Sequence, residues 1–191
     1  MKTAMRLVGA LAVVVLLLAV GVYVWASRAT SRALATAYES HTVDFPIPFP
    51  LADEERADLG LDAAGARRVA LERAIERGRH LVSARYGCTE CHGANFAGGV
   101  MIDAFPIGTL LGPNLTAGEG SRTLGYTAAD WDRTVRHGIL PAGGPSVMPS
   151  EDFRQMSDQE LADIVAFIRA QHAVDNTLPL RSVGPLGRLL I

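Results

Sequence analysis

The sequence is poor in cysteine and in lysine, and it has no acidic residue near its start. Its only cysteines are Cys88 and Cys91, which are too few for a four-cysteine zinc site. Lys2 is the only lysine, beside seventeen arginines, so no docking surface can be a ring of lysines. The net charge is −2 and no strongly basic face is indicated, which leaves nucleic-acid binding without support.

Charged residues are also missing between Leu7 and Ala26, where most positions are Leu, Val or Ala. A helix of about 20 apolar residues is long enough to cross a membrane, so residues 1–26 are interpreted as a membrane anchor or a signal sequence. The apolar run is longer than that of a usual signal peptide, and Trp25 makes a poor cleavage site, which favours a retained anchor. In both cases the rest of the chain is exported. Basic residues flank the run on both sides, so they leave its orientation open.

The remainder of the chain divides into three predicted parts. Residues 27–61 are predicted to be an extended, proline-rich tether, because the segment HTVDFPIPFP contains three prolines. Residues 62–175 are predicted to be one compact domain, in which residues 93–126 are mainly loop because they are rich in Gly and Pro. Residues 176–191 are predicted to be an extended tail.

The compact domain is predicted to be all-α. Its first helix is expected at about Asp62–Arg85 and contains Gly78, which suggests close approach by another helix, because an interior glycine otherwise costs about 1 kcal/mol relative to alanine. Two further helices are expected near Thr127–His137 and after Ser157. Each has a capping-box pattern at its start, formed by Thr127 with Asp130 and by Ser157 with Glu160.

The most informative segment is Cys88-Thr89-Glu90-Cys91-His92. This C-x-x-C-H pattern is typical of covalent haem attachment. Two thiols three positions apart can form thioethers with the two vinyl groups of one porphyrin, and the histidine that follows can bind the iron. One such motif predicts one haem c.

Other uses of two cysteines are possible for this spacing. A thioredoxin-type redox pair would need a βαβ context, which the sequence does not indicate. A structural zinc site would need two distant histidines as additional ligands. An exported chain with only these two cysteines favours haem attachment over both.

The second axial ligand of the iron remains open at this point. Carriers of electrons usually use Met or His there. The candidates are Met101, Met148, Met156, His80, His137 and His172. Met148 is favoured because Pro149 holds it in extended backbone and because a whole helix separates it from His92. A buried methionine is nevertheless more often a packing residue than a ligand.

Across about residues 70–173 the chain resembles the class I cytochrome c family. The resemblance depends on Cys88-Thr89-Glu90-Cys91-His92-Gly93, on Gly112-Pro113-Asn114-Leu115 and on Met148-Pro149, in the order and spacing of the family. It implies a small all-α domain wrapped around one covalent haem, with its first and last helices crossing at Gly78 and Phe167. The pattern looks most like bacterial membrane-bound cytochromes and the cytochrome subunits of periplasmic dehydrogenases, although such subunits typically carry three haems.

The resemblance also implies roles for individual residues. Met148 would be the second ligand of the iron, and the carbonyl of Pro113 would accept a hydrogen bond from Nδ1–H of His92. Asn114, Leu115 and Pro149 belong to the same haem-binding segments. The haem propionates need cationic groups or hydrogen-bond donors, for which the candidates are Arg122, Trp131 and Arg136.

Three functions are compatible with these residues. The favoured one is a single-electron carrier, not an enzyme, anchored to the outer face of a bacterial cytoplasmic membrane with its haem domain in the periplasm. Its partners would be redox proteins, such as a respiratory complex, an oxidase or a dehydrogenase. The first alternative is a haem enzyme or gas sensor with an open iron position. The second is a cytochrome subunit that anchors a dehydrogenase.

Overall fold

The computed structural model describes residues 2–190, so the first and last positions of the predicted anchor and tail lie outside the described residues. The helices are α1 (Lys2–Ala35), α2 (Asp53–Asp58), α3 (Ala63–His80), α4 (Cys88–His92), α5 (Ala128–His137), α6 (Asp158–Arg169) and α7 (Gly187–Leu190). The strands are β1 (Gly99–Ala104), β2 (Gly108–Gly112) and β3 (Ser182–Val183). A π-helical turn at Leu81–Arg85 and a 3₁₀ turn at Ser150–Phe153 complete the regular structure. The chain forms two compact units.

The first unit comprises residues 2–36, 102–110 and 181–190. Its main element is α1, which is long and apolar enough to cross a membrane. The helix continues beyond the apolar run to Ala35, so the prediction that an extended tether begins at residue 27 was wrong for nine residues. The segment after Ala26 contains no Pro or Gly, and nothing in the backbone therefore stops the helix where the apolar side chains stop.

The strands were not expected from the sequence. They form one sheet in the order β1-β2-β3, and β2 pairs antiparallel with β3 through Gly108↔Val183 and Thr109↔Ser182. Residues 93–126 are therefore only partly loop, and the tail contains β3 and α7 and is not extended throughout. This pairing joins residues more than 70 positions apart, and neither strand shows the alternation of apolar and polar residues that reveals strands in sequences.

The second unit comprises residues 37–101 and 111–180 and contains the hydrophobic core. Its helices α3 and α6 cross at Gly78, which confirms the predicted close approach. A Cβ atom at this position would lie 2.1 Å from the backbone oxygen of Asp163 and 2.7 Å from Cβ of Phe167. Beside the crossing, Arg77 donates Nε and Nη2 to the buried carboxylate of Asp163, at 2.6 and 2.8 Å.

The helix limits of the compact domain follow their capping signals. Both predicted capping boxes form, Thr127 with Asp130 before α5 and Ser157 with Glu160 before α6. The first predicted helix also begins as expected, with the side chain of Asp62 accepting a hydrogen bond from Gly65 N–H at 2.7 Å. These local bonds fix where each helix begins.

The proline-rich segment that was predicted to be a tether is part of the core. Phe45 is buried, and Val43, Ile47 and Phe49 pack against the same cluster. The backbone N–H of Val43 donates to Oδ2 of Asp132 at 2.8 Å. The segment is largely extended, as its prolines indicate, but it is packed into the domain and so does not act as a linker.

Candidate haem site

The two cysteines and the histidine lie together on α4, which is little more than one helical turn. In a helix, residues three and four positions apart lie on the same side. Cys88, Cys91 and His92 therefore share one side of α4. Cys88 packs against the hydrophobic core, and this burial raises the pKa of its thiol to about 11. In the part of the chain that the structure describes, no group of three or more His, Cys, Asp or Glu side chains is arranged to bind a metal.

His92 is buried, and its ring is held by one main-chain carbonyl. Nδ1 lies 3.0 Å from the oxygen of Pro113. Desolvation lowers the pKa of His92, and the hydrogen bond to Pro113 offsets part of this effect. The imidazole is therefore neutral near pH 7. A neutral ring that donates Nδ1–H to a carbonyl has the lone pair of Nε2 available for a metal ion.

The loop that carries Pro113 lies against α4 because residue 112 is glycine. A Cβ atom on Gly112 would lie 1.8 Å from the backbone oxygen of Cys91, a distance that no side chain allows. The backbone N–H of Gly98 donates to the oxygen of His92 at 2.9 Å and adds a second connection between α4 and the residues that follow it. These contacts fix the distance between His92 and Pro113.

Asn114 is fully buried, and its polar atoms are used within the protein. Nδ2 donates to the oxygens of Glu119 and Val174, at 3.2 and 2.8 Å. Oδ1 accepts from both N–H and Oγ1–H of Thr116, each at 2.9 Å. Its side chain therefore connects the Pro113 loop to the segment after α6, and we interpret it as a support of the loop and not as a direct polar contact of a cofactor.

Leu115 follows in the same loop and packs against the hydrophobic core. Its N–H donates to the oxygen of Phe96 at 2.9 Å. Phe96 was not predicted as a site residue. It is buried, has a positive φ of 58°, and contacts the ring of Phe167 edge-on with centroids 5.8 Å apart. Its position four residues beyond the end of α4, in a Gly-rich segment, was the only sequence signal available.

Trp131 and Arg136 lie on α5 and are mostly buried. Arg136 donates Nε to Asp132 at 2.6 Å and Nη1 to the carboxylate of Asp158 at 2.7 Å. Two donors remain: Nη2 of Arg136 and Nε1 of Trp131 are buried and have no hydrogen-bond partner among the described residues. Leaving a buried donor unpaired costs about 1–3 kcal/mol, so each of these two donors fits a ligand that supplies a hydrogen-bond acceptor.

The remaining predicted residues have more open positions. Met148 is half-buried in the loop between α5 and the 3₁₀ turn, and its N–H donates to Oγ of Ser146 at 3.2 Å. Pro149 is exposed. Arg122 is also exposed, and its backbone N–H donates to the oxygen of Asn114 at 2.9 Å.

Comparison with known sequence families identifies the domain. The sequence model of the family described as Cytochrome c matches residues 75–172, about half of the chain, including α4, the Pro113 loop, α5 and α6. The chain belongs to the cytochrome c family. A cytochrome c domain carries covalently bound haem c, and the single C-x-x-C-H motif provides for one haem.

Similar proteins are cytochrome subunits of dehydrogenases. The cytochrome c domain and its surroundings are 32% identical over 130 residues to the alcohol dehydrogenase (quinone) cytochrome c subunit of Gluconacetobacter polyoxogenes, covering 59% of this chain and 27% of that protein. They are 33% identical over 100 residues to the gluconate 2-dehydrogenase cytochrome c subunit of Pantoea cypripedii, covering 49% of this chain and 22% of that protein. The match to the fructose dehydrogenase cytochrome subunit of Gluconobacter japonicus is 28% identical over 104 residues, covering 51% of this chain and 21% of that protein. The chain thus spans about a quarter of the length of the relatives it matches.

Proposed function

We propose that this protein is a membrane-anchored carrier of single electrons that uses one haem c, and that it exchanges electrons with a membrane-associated dehydrogenase or another respiratory partner. The observation that carries the proposal is the position of His92. Its imidazole is buried, its Nδ1 is 3.0 Å from the oxygen of Pro113, and the two cysteines are on the same side of one helical turn. This arrangement suits covalent attachment of a porphyrin and ligation of its iron through Nε2.

In the proposed site, each residue has a distinct role. Cys88 and Cys91 would form the thioethers, and His92 would be one axial ligand. The Pro113 carbonyl would fix the His92 ring and increase its basicity as a ligand. The haem supplies one-electron transfer through its iron when it is bound. The protein contributes attachment, ligand geometry and exclusion of water around the ligand, and no acid–base pair is needed.

Met148 is the proposed second ligand. Met156, another candidate, is buried in the hydrophobic core and packs with the residues of α6, which accounts for its position. Met101 is 43% exposed in β1, only nine residues after His92. Met148 is half-buried in a loop and is not part of the core, so its sulfur is available for ligation.

Trp131 and Arg136 are the proposed partners of a haem propionate. Nε1 of Trp131 and Nη2 of Arg136 lie on the same helix, both are buried without a partner in the described part of the chain, and a carboxylate oxygen is an acceptor that either donor could use. Asp132 and Asp158 already balance the charge of Arg136, so the guanidinium is fixed in position before a ligand binds. Arg122, which is exposed, is a weaker candidate for the same role.

The dehydrogenase partner and the location follow from separate observations. The relatives named above are cytochrome subunits of alcohol, gluconate and fructose dehydrogenases, which supports a dehydrogenase partner in general. Helix α1 is long and apolar enough to cross a membrane, which supports single-pass anchoring. We infer that residues 37–101 and 111–180, the unit with the haem motif, lie on the periplasmic side.

The ligand assignment is tested by spectroscopy of the purified, haem-loaded chain. We expect the ferric protein to show the weak far-red absorption band of methionine-ligated haem. The band should disappear in Met148→Ala, and the reduction potential should fall, because methionine ligation raises it. The matched control is Met101→Leu, which should retain both properties.

Two results would contradict the assignment. A band that persists in Met148→Ala would exclude this residue as the ligand. A five-coordinate spectrum in the unmutated protein, together with binding of carbon monoxide, would favour an open iron position and hence an enzyme or gas sensor.

A further inference from the structure

The two units of the chain carry opposite charges. Residues 2–36, 102–110 and 181–190 contain six basic residues and one acidic residue, Asp103. Residues 37–101 and 111–180 contain twelve basic and nineteen acidic residues. The unit built around the apolar helix is therefore strongly positive for its size, whereas the unit with the haem motif is negative.

Within the positive unit, two segments from outside the helix pack together. We call residues 102–110 and 181–190 the foot. Its two segments are joined by Gly184 N–H, which donates to the oxygen of Ile107 at 2.8 Å, and by Leu186 N–H, which donates to the oxygen of Pro106 at 2.9 Å. Gly184 also contacts the oxygen of Pro106 so closely that no side chain fits there.

The foot is attached to α1 immediately beyond its apolar run. Thr30 Oγ1 donates to the oxygen of Arg188 at 3.0 Å, and Arg188 Nη1 donates to Oγ of Ser31 at 2.9 Å. The apolar run ends in aromatic residues, of which Trp25 is 72% exposed. At 1.5 Å per residue, Ser31 lies about 9 Å along the helix from Trp25. Aromatic residues at the end of a span typically mark the headgroup layer, so the attachment lies at the level of that layer.

The foot exposes apolar side chains that nothing in its own unit covers. Phe105, at the turn between β1 and β2, is 91% exposed. Ile107, Leu186 and Leu189 are 41%, 40% and 47% exposed. Clustered apolar residues of this kind mark a contact surface, and their combination with basic residues is typical of segments that lie on membranes.

We propose that the foot is a second membrane contact, in which Phe105 and its apolar neighbours insert into the headgroup layer of an anionic bilayer. The proposal depends on the proposed anchoring by α1. The occupant is a lipid surface because the foot is fixed to the helix at headgroup depth, and because Arg28, Arg32 and Arg188 give this level an excess of positive charge. Each basic residue near an anionic membrane surface adds to the electrostatic attraction.

The test uses spin labels on the full-length, haem-loaded chain in nanodiscs of phosphatidylcholine and phosphatidylglycerol. Cys88 and Cys91 are consumed as thioethers in this preparation, so one introduced cysteine is the only free thiol. The labelled variant is Phe105→Cys. The controls are Val15→Cys, in the apolar part of α1, and Leu124→Cys, which is 62% exposed in the other unit. The measurement is the collision rate of each label with oxygen, which concentrates in lipid, relative to a nickel chelate, which stays in water.

We expect the oxygen-to-nickel ratio at position 105 to be several-fold higher than at position 124 and to approach that at position 15. Nanodiscs of phosphatidylcholine alone should lower the ratio at 105 and leave that at 15 unchanged. A ratio at 105 equal to that at 124, or insensitive to phosphatidylglycerol, would overturn the proposal. Shielding of position 105 from both reagents would also overturn it, because it would indicate a protein partner.

The controls separate this inference from the proposed function. A water-like ratio at position 15 would mean that α1 does not cross the bilayer, and the anchoring would then fail together with the foot. A lipid-like ratio at 15 with a water-like ratio at 105 would refute the foot alone. The absorbance of covalent haem, read on the same samples, reports independently on the electron-transfer proposal.

Discussion

Replacing Gly78 by alanine tests the crossing of α3 and α6, because two physical effects predict opposite outcomes. Alanine is the better helix former, and helix propensity alone predicts stabilisation by about 1 kcal/mol. Sterics predict the reverse, because the added methyl carbon would lie 2.1 Å from the backbone oxygen of Asp163, where ordinary contact begins at 3.4 Å. The helices would have to separate by more than 1 Å.

The size of the effect follows from what lies at the contact. The blocking atom belongs to the backbone of α6 and cannot rotate away, and Ala74 and Leu161 beside the crossing are fully buried. Overpacking a core of this kind costs about 1–3 kcal/mol, and occasionally more. Because a backbone atom blocks the added methyl group, we take the overpacking cost at its upper end, about 3 kcal/mol. With the propensity gain of about 1 kcal/mol subtracted, we expect Gly78→Ala to lower the free energy of unfolding by about 2 kcal/mol.

The assay is urea unfolding of the haem-loaded protein in detergent, followed by circular dichroism. Gly65→Ala is the matched control in the same helix. A methyl group there would meet only side-chain atoms of Asp62 and Leu61, at 3.1 and 3.2 Å. These side chains can adjust, so the control should keep the gain in helix propensity and should raise the free energy of unfolding by up to about 1 kcal/mol. If Gly78→Ala proves as stable as the unmutated protein, the argument from the close approach is refuted.

Two further predictions concern Glu160 at the start of α6 and the buried carboxylate of Asp132. Burial raises the pKa of Glu160, but hydrogen bonds from Ser157 and the charge of Arg85 lower it, and the net pKa lies below its ordinary value. Glu160→Gln should therefore lower the free energy of unfolding by about 1 kcal/mol near pH 7. The difference between the variant and the unmutated protein should vanish as the pH falls through the lowered pKa of Glu160. A difference in stability that persists in acid would contradict this prediction. Asp132→Ala should lower the free energy of unfolding by about 3 kcal/mol, because it removes one carboxylate that balances the charge of Arg136 and leaves the N–H of Val43 without its acceptor. Thermolysin should then cut residues 37–50 faster, whereas an unchanged cleavage pattern would show that the segment is held by other contacts.

The features that the sequence predicted well are those that depend on neighbouring residues. The capping boxes at Thr127 and Ser157 place the starts of α5 and α6, because each bond joins residues three positions apart. The C-x-x-C-H motif is equally local. The contact between His92 and Pro113 spans 21 residues, and it was predicted only through the resemblance to the family.

The features that escaped prediction depend on distant partners. Phe45 is in the core because Val43 bonds to Asp132, 89 positions away, and nothing near Phe45 signals this. The β2–β3 pairing likewise joins segments with no strand pattern of their own. For α1, the error arose from equating the end of an apolar run with the end of a helix, although the backbone of residues 27–35 favours continuation.

The acceptor for His92 is a main-chain oxygen, and this has a consequence for how the protein can change over generations. A point mutation at residue 113 replaces a side chain but leaves a carbonyl in place, so the electronic character of the imidazole is protected against most single substitutions. Inherited variation can adjust it only by displacing the loop, for example through the amide of Asn114 that ties the loop to Val174. Descendants of this chain can therefore drift in sequence beside the porphyrin while keeping the ligand in the same chemical state.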